Sequence, residues 1–224
     1  MPIPKALEPT GVILADKPAG PTSFAVVARV RSRTGAKTGH AGTLDPFATG
    51  LLILLSGRAT SLQERFMKLD KRYLTEIDLS ARTTTGDPEG DVVETHDPPD
   101  DDELHNALDG LRGAVELPIP AASAVKIDGE RAYRLHRKGV AVDMPTRVMH
   151  VHELGLVSYA GGIAALALHV GSGTYVRSIA DALGGHCVSL RRTTIGPFSV
   201  EEADEERVVP LEEALPRLAP VRGA

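Results

Sequence analysis

From Lys37 to Gly50 the chain runs Lys37-Thr38-Gly39-His40-Ala41-Gly42-Thr43-Leu44-Asp45-Pro46-Phe47-Ala48-Thr49-Gly50, and an unbroken apolar run, Leu51 to Leu55, follows at once. The run reads as a short buried strand. Gly39, Gly42 and Gly50 permit tight turns and close approach of backbone to a ligand. Asp45 is the only carboxylate between Asp16 and Glu64. Asp45 before Pro46 suits a helix start, with Asp as N-cap and Pro at the first helical position. A lone acid in a basic, glycine-rich loop also suits chemistry. Local residue types leave both roles open, and both can hold at once.

Around this stretch, strands and helices alternate without a regular βαβ repeat, which indicates an α+β fold with a mixed or antiparallel sheet. Gly11 to Ala15 reads as a buried strand, and Asp16 to Pro21 as a turn. Thr22 or Ser23 caps a helix to about Arg33, with Phe24, Val27 and Ala28 on the buried face beside Val26 and Val30. Ala59 to Lys68 is expected to be helical, with Leu62, Phe66 and Leu69 inside. Lys71 to Ser80 alternates, putting Tyr73 on one face with Thr75 and Ile77. Acids at Asp100 to Glu103 favour the start of a helix to Leu108. Gly162 to Val170 is a strong strand, followed by a glycine turn and a helix from about Thr174 to Leu183 with Arg177 one turn in. Cys187 to Leu190 reads as a strand leading into Arg191 and Arg192, and Val209 to Leu218 as a short helix.

Composition narrows the function. The formal net charge is −5, yet Asp87 to Glu103 holds nine acids and no Lys or Arg, and Glu201 to Glu206 holds five acids. Outside those two margins 25 bases stand against 16 acids, a body of charge +9 that can bind a polyanion. The densest basic stretch is Leu117 to Asp143, where Lys126, Arg131, Arg134, Arg137 and Lys138 surround Tyr133. Cys187 is the only cysteine, so no intrachain disulfide forms, and a reducing compartment fits. The N-terminus lacks an apolar core of signal-peptide length, and no stretch reaches the length of a membrane span, so a cytoplasmic protein is expected. Gly171 and Gly173 are not a dinucleotide fingerprint, because Val176 stands where a third glycine belongs. The acidic run from Asp87 lacks the glycine and glutamate of a calcium loop. His150 and His152 share a strand face, a possible metal pair, but no third ligand is near, and a two-histidine strand reads as plain surface. No metal and no cofactor is expected.

The stretch Gly39 to Leu52 resembles the catalytic motif of the TruB family, the tRNA pseudouridine-55 synthases. Four further stretches agree in the family's order: Ala15 to Ser23, Asp70 to Tyr73, Ser123 to Lys126 and Gly173 to Arg177. The resemblance extends from about Gly11 to Phe198. It implies a pseudouridine synthase fold: a central twisted sheet with flanking helices and a basic insertion, residues 117–143, that grips RNA. Residues 1–10 are then an N-terminal extension, residues 11–200 the catalytic domain, and residues 201–224 a short tail. The family commonly has Ala before the Gly-His pair and Thr after it; here Thr38 and Ala41 stand there. Many bacterial members continue into a C-terminal PUA domain, and nothing after Val209 resembles one.

The resemblance also implies a reaction: uridine at position 55 of the tRNA T-loop becomes pseudouridine. Asp45 is the essential carboxylate. Tyr73 stacks on the flipped base and helps remove the C5 proton, and Arg177 orients Asp45. Lys17 lies near the reacting base, His40 wedges into the RNA, and Tyr175 and Leu190 line the uracil pocket. Arg72, Lys126, Arg134, Arg137 and Lys138 hold phosphates. The implied partner is the tRNA T-arm, with no membrane, no required protein partner and a monomeric enzyme. The alternative is an RNA-binding protein that remodels tRNA folding without chemistry, against which Asp45, Tyr73 and Arg177 argue together. A guide-RNA-dependent relative or a hydrolase using Asp45 as nucleophile fits less well.

Overall fold

The computed structural model describes residues 10–140 and 142–218. The expected N-terminal extension, apart from Thr10, and residues 219–224 of the tail lie outside the described residues. The first elements in chain order are β1 (Gly11–Lys17), α1 (Ser23–Thr34), β2 (Thr38–His40), β3 (Thr49–Ser56), α2 (Gln63–Met67), β4 (Lys71–Asp78), β5 (Ala81–Thr83) and β6 (Val92–Thr95). Next come α3 (Asp101–Gly110), β7 (Gly113–Pro118), β8 (Lys126–Ile127), β9 (Glu130–Arg131), α4 (Ala132–Arg137), β10 (Thr146–Ala160) and β11 (Ile163–Val170). The last are α5 (Val176–Ala182), β12 (His186–Ile195), β13 (Phe198–Ser199), β14 (Asp204–Val209) and α6 (Leu211–Arg217). The chain forms two compact units, one of residues up to Arg72 together with those from Arg191 onward, the other of Tyr73–Leu190.

In the first unit the strand order is β14-β1-β3-β12. β1 runs antiparallel to β3, from Gly11 opposite Ser56 to Lys17 opposite Gly50. β12 runs parallel to β3, with Arg191 opposite Thr49 and Arg192 opposite Gly50, so the sheet is mixed as the sequence indicated. The apolar run of β3 is continuous because both of its faces are covered. Leu51, Ile53 and Leu55 join Val12, Leu14, Phe66, Phe198 and Ala214 on one side. Leu52 and Leu54 join Ile13, Ala15 and the α1 residues Val26, Val27 and Val30 on the other. Each such side chain contributes about 2 kcal/mol by leaving water.

Two helix expectations in this unit are corrected. α1 is capped by Thr22, whose hydroxyl accepts from Ala25 N at 3.1 Å, but the buried first-turn residue is Ser23. Phe24 is 63% exposed, since the face is centred on Ser23, Val26 and Val30 rather than one residue later. The helix expected over residues 59–68 is a 3-10 turn, Gly57–Leu62, followed by the short α2.

In the second unit the strand order is β12-β4-β11-β10-β7, and β10 is antiparallel to both neighbours. β4 alternates as its sequence requires: Lys71, Tyr73, Thr75 and Ile77 are buried while Arg72, Leu74 and Glu76 face outward. β10 and β11 are joined by Gly161 and Gly162, with φ of 59° and 81°, a two-residue hairpin turn that needs positive φ at both positions. Asp100 caps α3 and forms a reciprocal pair of bonds with Glu103, so the acids there serve the helix start.

Candidate active site

No helix follows Asp45, which removes the N-cap reading. Ala48 N donates to Asp45 O at 3.2 Å in a turn, and Thr49 already opens β3. What holds Asp45 is a set of buried side chains that bond the loop's backbone on three sides. Ser23 Oγ donates to Leu44 O at 2.9 Å and accepts from Leu44 N at 2.8 Å. Lys17, fully buried, donates through Nζ to Pro46 O at 3.1 Å and Pro18 O at 2.8 Å. Arg192, 1% exposed, donates to Leu51 O at 2.8 Å, Gly42 O at 3.1 Å and Thr43 O at 3.3 Å. A buried cation is costly unless its donors are matched, and here peptide carbonyls match them. Gly50 completes the fit: its φ is 101°, and a Cβ there would lie 2.2 Å from Arg192 O. Asp45 itself is half-buried.

The same guanidinium shapes two neighbouring groups. Burial, then Arg192, lowers the pKa of His40, which is therefore neutral at pH 7. Its ring Nδ1 is buried without a hydrogen-bond partner among the described residues, while its carbonyl accepts from Gln63 Nε2 at 2.7 Å. Burial, then Arg192, brings Lys71 down to about 8, against a smaller opposing pull from Asp70. Lys71 Nζ donates to Met67 O at 2.6 Å and also to Leu69 O. The roles of Arg192, Lys71 and Ser23 were missed from sequence. Period two on β12 puts Arg192 on the face of Leu190, and that was the available signal.

In the second unit Arg177 lies in the first turn of α5 rather than one turn in, and it is buried. It donates to Thr85 O at 2.8 Å and Ala122 O at 2.9 Å, and Asp87 Oδ2 stands 3.6 Å from its Nη1. Asp87 is itself buried, accepting from Thr85 Oγ1 at 2.6 Å and Glu89 N at 3.0 Å. Sequence reading had placed Asp87 in an acidic margin; within its unit it orients the guanidinium. Tyr73 is buried on β4 and Leu190 on β12. Tyr175 precedes α5, with the Arg147 guanidinium 5.9 Å from its ring centroid.

The basic insertion differs in kind. β8 carries Lys126, α4 carries Arg134 and Arg137, and Lys138 caps the end of α4; all four are exposed. Arg134 and Arg137 lie 5.9 and 5.8 Å from the Tyr133 ring centroid, and Lys138 pairs with Glu130 at 2.7 Å. Arg72 is exposed on β4. Among the described residues no helix is long and apolar enough to cross a membrane.

Solved structures define the class first: the fold is that of a pseudouridine synthase. A chain in the crystal structure of a Cbf5-Nop10-Gar1 complex aligns over 85% of this chain at 28% identity and a TM-score of 0.66, and this chain spans 50% of that one. A crystal structure of pseudouridylate synthase aligns over 96% of this chain and 76% of its own, at 18% identity and a TM-score of 0.52. The sequence then gives the family. The model of the TruB family pseudouridylate synthase N-terminal domain matches residues 29–176. The tRNA pseudouridine synthase B of Thermobifida fusca is 41% identical over 95% of this chain and 80% of its own length. That of Corynebacterium efficiens is 40% identical over 95% and 78%. The chain belongs to the TruB family of pseudouridylate synthases.

Proposed function

We propose that this chain isomerises uridine to pseudouridine in tRNA, at position 55 of the T-loop, acting as a monomer on the T-arm. Family membership supports the reaction, and relatives about 40% identical are named for it on tRNA. The observation that carries the site is the Asp45 loop, whose backbone is bonded by Ser23, Lys17 and Arg192. A carboxylate fixed before substrate arrives saves the cost of ordering it during reaction.

In the proposed sequence the target nucleotide leaves the stack. The N1–C1′ bond breaks, the uracil turns, C5 bonds to C1′, and C5 loses a proton while N1 gains one. Asp45 drives the break either by adding to C1′ or by taking a proton from C2′; an isotope effect from deuterium at C2′ separates the two. Tyr73 stacks on the base and assists removal of the C5 proton. Arg177 orients Asp45, with Asp87 holding Arg177 from its own side. Tyr175 and Leu190 line the uracil pocket, Lys17 lies near the base, and the neutral His40 suits insertion among stacked bases. Arg72, Lys126, Arg134, Arg137 and Lys138 take phosphates. Residues 11–200 form the catalytic domain in this reading, with 117–143 its RNA-gripping insertion.

The test is a pseudouridine assay on unmodified tRNA transcript, with the modified position mapped for wild type and Asp45→Asn. Pseudouridine at position 55 from wild type alone is expected. Normal turnover by Asp45→Asn removes the carboxylate's role, and binding without product from either protein favours tRNA remodelling.

A further inference from the structure

A defect in one strand of the second unit builds a histidine pair that the reaction does not use. Along β10 and β11, Val151 stands opposite Val170, but the next matched pair is Glu153 opposite His169. His152 is therefore an inserted residue. Burial shows the same slip: Met149 and Val151 are buried, then Leu154 in place of residue 153. At such a bulge two consecutive residues oppose one, so His152 and Glu153 both face His169. The rings of His152 and His169 lie 4.8 Å apart between centroids. Their ligating nitrogens come within 4.8 Å, and Glu153 Oε1 is 3.5 Å from His169 Nδ1. His150 and His152 do share the exposed face of β10, on either side of buried Val151, and the ring that His152 meets belongs to the next strand.

We propose that His152 and His169 bind a borderline divalent transition cation such as Zn²⁺ or Ni²⁺. Each gives one imidazole nitrogen. Two nitrogens on one tetrahedral metal, each at roughly 2.0–2.1 Å from it, sit about 3.3 Å apart. A side-chain rotation of the exposed His152 closes the difference. Glu153 plays the outer partner: its carboxylate, 3.5 Å from His169 Nδ1, favours the proton on that nitrogen and leaves Nε2 for the cation. Imidazole donors select zinc, nickel and copper over magnesium or calcium, which prefer all-oxygen shells. A bound cation joins β10 to β11 immediately before the turn at Gly171, and it stabilises the fold by mass action.

The proposal is tested on the full chain by calorimetric titration with Ni²⁺ and with Zn²⁺, alongside thermal unfolding with and without each metal. One saturable site and a metal-dependent rise in Tm are expected for wild type. Both are lost in His169→Ala and in His152→Ala, while Glu153→Gln weakens binding about tenfold. His105→Ala, on α3, leaves binding unchanged. Since His152 is exposed, its variant keeps the fold and still reads out the site if His169→Ala does not fold. Absence of saturable binding to wild type, or binding that the His152 and His169 variants retain, overturns the proposal.

Discussion

The Asp45 loop and the basic insertion both depend on cations, and they use them in opposite ways. Lys17 and Arg192 are buried, and their donors go to carbonyls of the loop itself. Lys126, Arg134, Arg137 and Lys138 are exposed; Arg134 and Lys138 donate to the side chains of Tyr133 and Glu130, and among the described residues of the insertion it is Arg131 that reaches backbone, at Ala124 O. A buried cation matched to carbonyls fixes geometry and is little affected by salt. An exposed cation contributes little to stability, is screened by salt, and remains available to a phosphate. The first arrangement suits chemistry and the second suits capture of a polyanion.

The contrast breaks most visibly at Arg192. Arg192→Met strands carbonyls of Gly42, Thr43 and Leu51, so stability in chemical denaturation should fall by about 3–5 kcal/mol. A loss under about 1 kcal/mol would mean the loop holds itself.

Lys71 sharpens the point through pH. Its folded pKa, about 8, is below the unfolded value, so the unfolded chain binds the extra proton between the two. Stability should therefore rise with pH above about 8. Between pH 8 and 9.5 wild type should gain about 2 kcal/mol relative to Lys71→Met, each pK unit being about 1.4 kcal/mol. Parallel profiles for the two proteins would show that Lys71 titrates normally.

A smaller effect is expected at Ser23, where Ser23→Ala unpairs both backbone groups of Leu44 and should cost about 1–2 kcal/mol. Denaturation midpoints check it, and the activity lost should exceed what the lost stability explains. The smallest stability change belongs to the insertion. Arg134→Ala should stay within about 0.5 kcal/mol in denaturation while the slope of log K for tRNA against log salt falls by about 0.7–0.9. An unchanged slope would take Arg134 off the phosphate path.

Much of this was legible in the chain. Alternation in β4 gave the buried face of Tyr73, and the acids before α3 marked its start. The apolar run at Leu51 gave a buried strand because a residue set covered on two faces needs no alternation. The order of motifs gave the family. What stayed hidden were long-range partners of polar side chains. Nothing local tells that Arg192 reaches carbonyls some 150 positions earlier, or that Asp87 in an acidic stretch turns inward to Arg177. Phe24 was misplaced because hydropathy prefers it inside, whereas Ser23 is drawn in by the two backbone groups of Leu44.

The division of labour is tested most directly by measuring two quantities on two proteins. Single-turnover pseudouridine formation at saturating tRNA and tRNA Kd are compared for Asp45→Asn and for a variant with Lys126, Arg134, Arg137 and Lys138 all changed to Ala. Asp45→Asn should lose turnover and keep its Kd, while the insertion variant should bind weakly and, once saturated, react at the wild-type rate. If Asp45→Asn still turns over, or if the insertion variant at saturation is as inactive as it is weak in binding, the two regions do not divide chemistry from capture.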